Sequence, residues 1–284
     1  MNITAKTQKV GLLGWPLSHS LSPAMHNAAF MASKLDYVYL PLPSPPEALA
    51  TAVAGIKALG FVGVNVTIPH KVTIMDYLDE IDVSAKLVGA VNTIVIKENR
   101  SIGYNTDASG YISSLRLANV GIKGKKAVVI GAGGAARAVV AGFVENGIAS
   151  VIIGARDKTK ADDMSRLFNT NSLIRGGAWD HQDFIMDLLQ ADIIVNTTPL
   201  GMYPNTTSQP PVPPTAVVSD LVYNPLITAF MAEAARRGHQ TIGGDGMLVE
   251  QGALAYNLWT SHNAPREIMR NALFQGLKGQ FPTN

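Results

Sequence analysis

The sequence predicts two α/β domains, the first built on a mostly parallel sheet and the second on a doubly wound parallel sheet. Three observations carry that expectation. Apolar, β-branched runs alternate with helical runs in both halves of the chain. A glycine-rich loop, Gly131-Ala132-Gly133-Gly134-Ala135-Ala136, joins one such run to a helix. The 284 residues, 47% hydrophobic and 15% charged, are enough for two modest cores and carry no bias toward disorder.

In the first series "KVGLLGW" reads as a strand. "SPAMHNAAFMASKL" follows as a helix, with Ser22 expected at the N-cap and Pro23 at the first helical position. "YVYLPLPS" is a second strand, and "PPEALATAVAGIKALG" a second helix stopped by Gly60. "FVGVNVTIP" is a third strand, rich in β-branched residues. After a helical stretch through Leu87, "VNTIVIK" and "SIGYN" form a hairpin about a polar turn at Glu98-Asn99-Arg100.

The second series begins at Lys125. "KKAVVI" is a strand, "GAGGAARAVVAGFVENG" a loop and helix, and "SVIIGAR" the next strand. "ADIIVNTTPLG" and "AVVSDLV" are further buried strands. "PLITAFMAEAARRG" is a helix closing on Arg236, Arg237 and Gly238, the charges and stop expected at a C-terminus. The segment "YPNTTSQPPVPP" (203–214) has PxxP spacing, but between two strands it reads as a stiff surface connection rather than a docking motif. After "GGDGM" the chain reads as helical, with apolar positions at Leu248, Leu254 and Leu258.

A net charge of +2 without basic runs gives no reason to expect nucleic acid or a membrane surface as partner. The absence of cysteine excludes a disulfide scaffold, a thiolate nucleophile and Cys-ligated metal, and the six histidines show no ligand spacing, so no metal is expected. The polar start, MNITAKTQKV, lacks a signal-peptide core, and no apolar run reaches a membrane span. A cytoplasmic enzyme, monomer or homodimer, is the expectation.

The glycine loop carries specific chemistry. Gly131 permits a tight turn, Gly133 lets the backbone approach a pyrophosphate, and small Ala136 lets helix and strand pack closely. The amides at the helix start then face the phosphates. The bland alternative is a merely structural turn; the strand-loop-helix context favours the dinucleotide. Which dinucleotide is decided at the end of the next strand, where NAD sites place an acid on the ribose hydroxyls. Here Ala155 is followed by Arg156, Asp157, Lys158 and Lys160. Arg156 and Lys160 suit a 2′-phosphate and so NADP. Asp157 cuts the other way, toward NAD, and Lys158 reads as a solvated charge.

A dinucleotide domain beside a second α/β domain suggests hydride transfer in the cleft between them. Such a reaction on a carbonyl or alcohol needs a proton donor or acceptor at the oxygen. Lys71, in "NVTIPHK", follows a buried strand, and Asp107 ends "GYNTD", where the chain leaves the first domain. A lysine–aspartate pair can hold a proton for the substrate oxygen and take it back in reverse. The alternative for Lys71 is a surface lysine. Ser20, Ser22, Thr67, Asn92 and Asn105 supply the neutral hydrogen-bonding groups a polyhydroxylated carboxylate needs. Singly, Ser22 also reads as a helix cap, Thr67 as a strand residue and Asn92 as a turn former.

Together these motifs resemble the shikimate dehydrogenase family, including its shikimate/quinate members. "GWPLSHSLSPAMHN", "GVNVTIPHK", "GAVNT", "GYNTD", "GAGGAARA", "NTTPLGM" and "GDGMLVEQGALAYNLW" resemble its motifs in order over essentially the whole chain. The resemblance implies a substrate-binding catalytic domain at 1–107 plus 246–284, the C-terminal helices returning to it. It also implies a Rossmann NADP-binding domain at 108–245. It implies reversible, nicotinamide-dependent reduction of 3-dehydroshikimate to shikimate, in the shikimate pathway of aromatic amino acid biosynthesis. It makes Lys71 the acid/base residue and Asp107 its partner. Ser20 and Ser22 would bind the substrate carboxylate, Thr67, Asn92 and Gln251 the ring hydroxyls, with Tyr223 near the carboxylate end. Gly131 through Ala136 would cradle the pyrophosphate, with Arg156, Asp157 and Lys160 on the adenosine side. Thr198, Gly244 and Met247 would lie on the nicotinamide side.

Two departures stand out. NADP-dependent members commonly read N-R-T-x-x-R where this chain reads Ala155-Arg156-Asp157-Lys158-Thr159-Lys160, and His70 fills a place often aromatic. His70 reads as a packing residue rather than a second base. The alternative within the same chemistry is a broad quinate/shikimate dehydrogenase using NAD. A catalytically silent binding protein on the same scaffold is disfavoured because both Lys71 and Asp107 are present.

Overall fold

The computed structural model describes residues 3–168, 173–202 and 215–279. The proline-rich segment 203–214 lies outside them. The chain forms two compact units, Met1–Thr106 with Val249–Asn284, and Asp107–Leu248.

The first unit holds strands β1 (Gln8–Gly14), β2 (Tyr37–Pro43), β3 (Phe61–Val66), β4 (Glu80–Ile81), β5 (Thr93–Lys97) and β6 (Arg100–Tyr104), with helices α1 (Ser22–Ala32), α2 (Leu49–Ala58) and α3 (Val83–Val88). The strands lie in the order β2-β1-β3-β5-β6-β4. β1 pairs with β2 and β3 in parallel, β5 is antiparallel to both its neighbours, and β4 joins β6 in parallel. The β5–β6 hairpin turns on Glu98 and Asn99 alone, at φ +51° and +61°, while Arg100 is already paired with Lys97. Two consecutive left-handed residues make the primed two-residue turn that matches strand twist.

One expected cap is corrected. Leu21 occupies the N-cap of α1 without a side-chain cap bond, and Ser22 is the buried first helical residue. The reason is local: the Ser22 amide is bonded by Ser20 Oγ at 3.3 Å, which moves the helix entry one residue upstream of the expected cap.

The second unit opens with α4 (Asp107–Leu117) and continues through β7 (Lys126–Ile130), α5 (Gly134–Glu145), β8 (Ser150–Ala155), α6 (Lys158–Arg166), β9 (Leu173–Ala178), α7 (Gln182–Leu189), β10 (Ile193–Asn196), β11 (Val217–Asp220), α8 (Ala229–Arg236) and β12 (Thr241–Ile242). Its six strands run β12-β11-β10-β7-β8-β9, every pair parallel. That is the Rossmann order, doubling back between β7 and β10. The central strands are apolar on both faces because helices cover both: all of β10 and all but the first residue of β7 are buried. α5 buries Ala136 and the unbroken run from Ala138 to Phe143, so it is covered on more than one side. A Cβ at Gly142 would lie 2.8 Å from Ile112 Cγ1, so this glycine sets how closely α4 and α5 approach.

α9 (Gly244–Thr260) straddles the boundary of the units, and α10 (Arg266–Gly279) follows it. The stretch is helical as expected, but its leucines do not form the buried face: Leu258 is exposed and Leu248 and Leu254 only partly covered. The buried face is Val249, Ala253, Tyr256 and Trp259. Leucines six and then four residues apart do not share a face, whereas steps of four, three and three do. Also unforeseen are β4, β9 and β12. The first and last are two-residue bridges, and β9, "LIRGGA", has two glycines and no clean alternation.

Candidate active site

In the first unit, strand direction gathers the candidate residues at one sheet edge. β1, β3 and β6 end there and β5, running the other way, begins there. The loop after β1 carries Ser20 and leads to Ser22, the first residue of α1; the turn after β3 carries Thr67 and Lys71, Asn92 immediately precedes β5, and Asn105 follows β6. The edge is knitted by backbone bonds, Thr67 N to Leu13 O at 2.9 Å, Val66 N to Asn92 O at 2.8 Å and Asn92 N to Tyr104 O at 3.0 Å.

Lys71 sits in a turn fixed from both ends. The His70 amide donates to Thr67 O at 2.9 Å, and the Val91 amide donates to Lys71 O at 2.7 Å. His70 is buried, with Nε2 2.7 Å from Ser44 O, so its ring ties β2's end to the lysine turn. Lys71 itself is partly exposed. Asn92 is the hub of the polar groups. Its Oδ1 accepts from Thr106 N at 2.8 Å and Thr93 Oγ1 at 3.0 Å. Its Nδ2 donates to Thr106 Oγ1 at 2.9 Å and reaches Gln251 Oε1 at 3.5 Å. Behind it, Asn65 Nδ2 donates to Thr93 Oγ1 at 3.0 Å, and Tyr39 Oη donates to Asn65 Oδ1 at 2.9 Å. Sequence reading missed Asn65, Thr93 and Tyr39 as parts of this array. The available signal was two polar residues, Asn65 and Thr93, interrupting apolar strands; they face each other in the β3–β5 register.

The second unit places its candidates at the carboxyl edge of the Rossmann sheet. Gly131 follows β7, Arg156 follows β8, Thr198 follows β10, Tyr223 follows β11 and Gly244 follows β12. Gly131 has φ +116°, and a Cβ there would lie 2.5 Å from Thr197 Oγ1 and 3.0 Å from Thr198 Cγ2. Only glycine fits that turn at the point where the strand order reverses. Gly133 is the N-cap of α5 and supplies no side-chain cap, and a Cβ there would point into open space. Gly134 and Ala135, both partly exposed, open the helix, and Ala136 is buried against the core with Ala132 beside it. The first-turn amides lack partners within the helix, so this loop fits a pyrophosphate group.

At the end of β8, Asp157 is the N-cap of α6, its Oδ1 accepting from Thr159 N at 3.0 Å. Lys158 pairs with Asp162 at 2.6 Å. Arg156 and Lys160 are exposed and have no ion pair among the described residues. Two unengaged cations beside an acid committed to its own helix suit a phosphate more than a ribose diol.

The Thr198 turn is held from beneath. Asn196 Oδ1 accepts from Thr198 N at 3.1 Å and Thr198 Oγ1 at 2.6 Å, and its Nδ2 donates to Asp220 Oδ1 at 2.9 Å. Asp220, fully buried, also accepts from Thr228 Oγ1 at 2.7 Å and Val222 N at 3.0 Å. Burial pushes its carboxyl above the ordinary range, against these three donors. Burial likewise raises the Tyr223 phenol. Met247 lies in the unit's core cluster, and Gly244 packs against the Leu221 backbone, where no side chain fits. Asp107, buried, opens α4, where a carboxylate meets the positive helix end.

Three family models match the chain: the shikimate dehydrogenase substrate binding domain over residues 12–94, shikimate/quinate 5-dehydrogenase over 114–200, and the shikimate 5′-dehydrogenase C-terminal domain over 244–274. A curated relative, shikimate dehydrogenase (NADP+) of Methanocaldococcus jannaschii, is 45% identical over 277 residues, covering 95% of this chain and 98% of its own. The chain belongs to the shikimate dehydrogenase family. Among solved structures, a shikimate dehydrogenase in complex with NADP+ superposes with a TM-score of 0.90 at 43% identity, covering 97% of this chain and 98% of its own. The Thermus thermophilus shikimate 5-dehydrogenase, in complex with NADP(H) and shikimate, gives 0.86 at 34% identity, covering 95% and 100%. The two-unit α/β architecture with a Rossmann sheet is therefore the family's own. Among the described residues no helix is long and apolar enough to cross a membrane, and no cluster of His, Asp and Glu offers a metal site.

Proposed function

We propose that this chain catalyses the reversible reduction of 3-dehydroshikimate to shikimate with NADP as cofactor. The observation that carries the reading is the sheet edge of the first unit: Lys71 in a fixed turn beside a buried array of neutral donors and acceptors centred on Asn92. A small, hydroxylated carboxylate is the ligand that chemistry recognises.

In this reading Ser20 and Ser22 hold the carboxylate, with Tyr223 near the same end. Thr67, Asn92 and Gln251 orient the ring hydroxyls. Lys71 gives its proton to the substrate oxygen as reduction builds negative charge on it, and takes the proton back in oxidation. Asp107 partners the lysine in that exchange. NADP, when bound, supplies or accepts the hydride. Gly131 through Ala136 hold its pyrophosphate on the α5 amides, Arg156 and Lys160 its 2′-phosphate, and Thr198, Gly244 and Met247 belong to the nicotinamide side. Asp157 spends one carboxylate oxygen on the cap of α6 while Arg156 and Lys160 carry no ion pair among the described residues, which supports NADP over NAD.

Lys71→Ala tests the chemistry. Shikimate oxidation is expected to fall at least about a thousandfold in kcat, given what general acid–base groups contribute. NADP affinity, by calorimetry, should stay within about threefold, since the variant leaves the Rossmann loop untouched. Wild-type turnover crossing shikimate and quinate with NADP and NAD should favour shikimate with NADP. Undiminished turnover in Lys71→Ala, or equal rates with quinate and NAD, overturns the reading.

A further inference from the structure

Behind the substrate edge a chain of buried side chains leads to Asn92, and its other members have no role above. It starts at Tyr39 on β2, whose phenol is 1% exposed. The phenol donates to Asn65 Oδ1 at 2.9 Å. Asn65 Nδ2 then donates to Thr93 Oγ1 at 3.0 Å and to Asn92 O at 3.3 Å, and Thr93 Oγ1 donates to Asn92 Oδ1 at 3.0 Å. Every member from Tyr39 to Asn92 is buried.

Tyr39 is itself unusually well fixed. Its amide donates to Asn27 Oδ1 at 2.8 Å and its carbonyl accepts from Asn27 Nδ2 at 3.0 Å, so α1 grips the backbone of β2 at this residue. Its ring stacks on His26 at 4.5 Å between centroids, with the planes 3° apart. A locked ring presents its hydroxyl at one point. That point sets the polarity of the relay: because the phenol donates, Asn65 must turn its oxygen toward Tyr39 and its amide toward Thr93. Thr93 then gives its proton to Asn92 Oδ1 at 3.0 Å, closer than Thr106 Oγ1 at 3.4 Å, which leaves Asn92 Nδ2 as the donor facing Thr106 and Gln251. In a water-poor interior such a chain has few alternative arrangements of equal energy.

We propose that Tyr39 is a positioning residue for the substrate: its hydroxyl, acting through Asn65 and Thr93, holds Asn92 in place with its amide group presented at the hydroxyl end of the site. This rests on the reading of Asn92 as a shikimate contact. Tyr39 does not itself touch substrate in this scheme; it fixes the position and the donor–acceptor sense of the group that does.

Tyr39→Phe removes the one oxygen and keeps the ring, its stack on His26 and its backbone bonds to Asn27. The expected result is a KM for shikimate raised about tenfold, the size expected when one buried hydrogen bond no longer orders its partners. In the same variant kcat should change less than about threefold, and NADP affinity of the substrate-free protein, by calorimetry, less than about twofold, because the nucleotide loop is untouched. Thr93→Val interrupts the same relay with an isosteric side chain and is expected to reproduce the KM rise. A purely structural role predicts a lowered melting temperature with the shikimate KM unchanged, and that outcome overturns the proposal. If Tyr39→Phe does not fold, Thr93→Val decides alone, an unchanged KM counting against the relay. Wild-type protein that fails to oxidise shikimate defeats the functional reading; an active wild type with unaltered KM in both variants defeats only the relay.

Discussion

His26 is an acid-sensitive point of the first unit, and a substitution there should flatten the pH dependence of its stability. The ring is fully buried, stacked on Tyr39 and tilted against Phe30 and Trp259, and neither ring nitrogen has a hydrogen-bond partner. Burial lowers its pKa from 6.5 to about 3. The folded state therefore binds a proton less readily than the unfolded chain, and stability is lost as pH falls below the unfolded value. From pH 8 to pH 5 the unfolded ring gains most of a proton while the folded ring stays neutral, a loss of about 2 kcal/mol. His26→Leu removes the titrating group. It also loses the stack on Tyr39, about 1 kcal/mol, and relieves two unsatisfied nitrogens, but both effects shift stability equally at the two pH values. The assay is urea unfolding followed by tryptophan fluorescence at pH 8 and pH 5, since Trp259 lies 5.5 Å from the ring. Wild type should lose about 2 kcal/mol more than the variant, or about 4–8 °C in Tm for a unit of this size. Parallel slopes for the two proteins would refute the reasoning, because a ring buried neutral must take up its proton on unfolding.

Two further substitutions test the second unit. Asp157→Ala removes the N-cap of α6 and should cost about 1 kcal/mol in a thermal melt. The ratio of kcat/KM for NADP over NAD should hold; a marked rise of that ratio would mean the carboxylate reads the ribose after all. Asp220→Asn replaces a carboxyl that burial holds above its ordinary range. A raised carboxyl favours the protonated folded state, so its contribution is present below the ordinary carboxylate range and is lost as pH rises through the raised value. Melting curves from pH 4 to pH 7 should therefore move in favour of the variant as pH increases, and a constant difference would show that Asp220 is not titrating in the fold.

Much of this molecule is legible from local pattern. The strands "KAVVI" and "ADIIV" are apolar on both faces because helices cover both sides of a parallel sheet, and that leaves an unbroken run in the sequence. Gly131 announces itself because only glycine tolerates φ +116° against Thr197. Where reading by pattern fails, the missing information is spatial. Leu254 and Leu258 stand out by hydrophobicity, yet the face of α9 that is buried is set by what it packs on: a Cβ at Gly252 would lie 2.6 Å from Met25 Cε, so a small residue belongs at that position.

The charge at Asp157 shows the same division. Its identity is in the sequence, but whether it opposes a phosphate or caps a helix depends on where α6 begins, and the fold turns the carboxylate onto Thr159 N. By itself the sequence determined two α/β units, the glycine loop and the order of the motifs, because propensity, periodicity and turn chemistry act over a few neighbouring residues. Only the tertiary structure decided that Tyr39, Asn65, Thr93 and Asn92, drawn from three stretches of chain, form one hydrogen-bonded relay. Strand register brings those residues within 3 Å or so of one another, and register is settled by the packing of the whole sheet rather than by any of its segments.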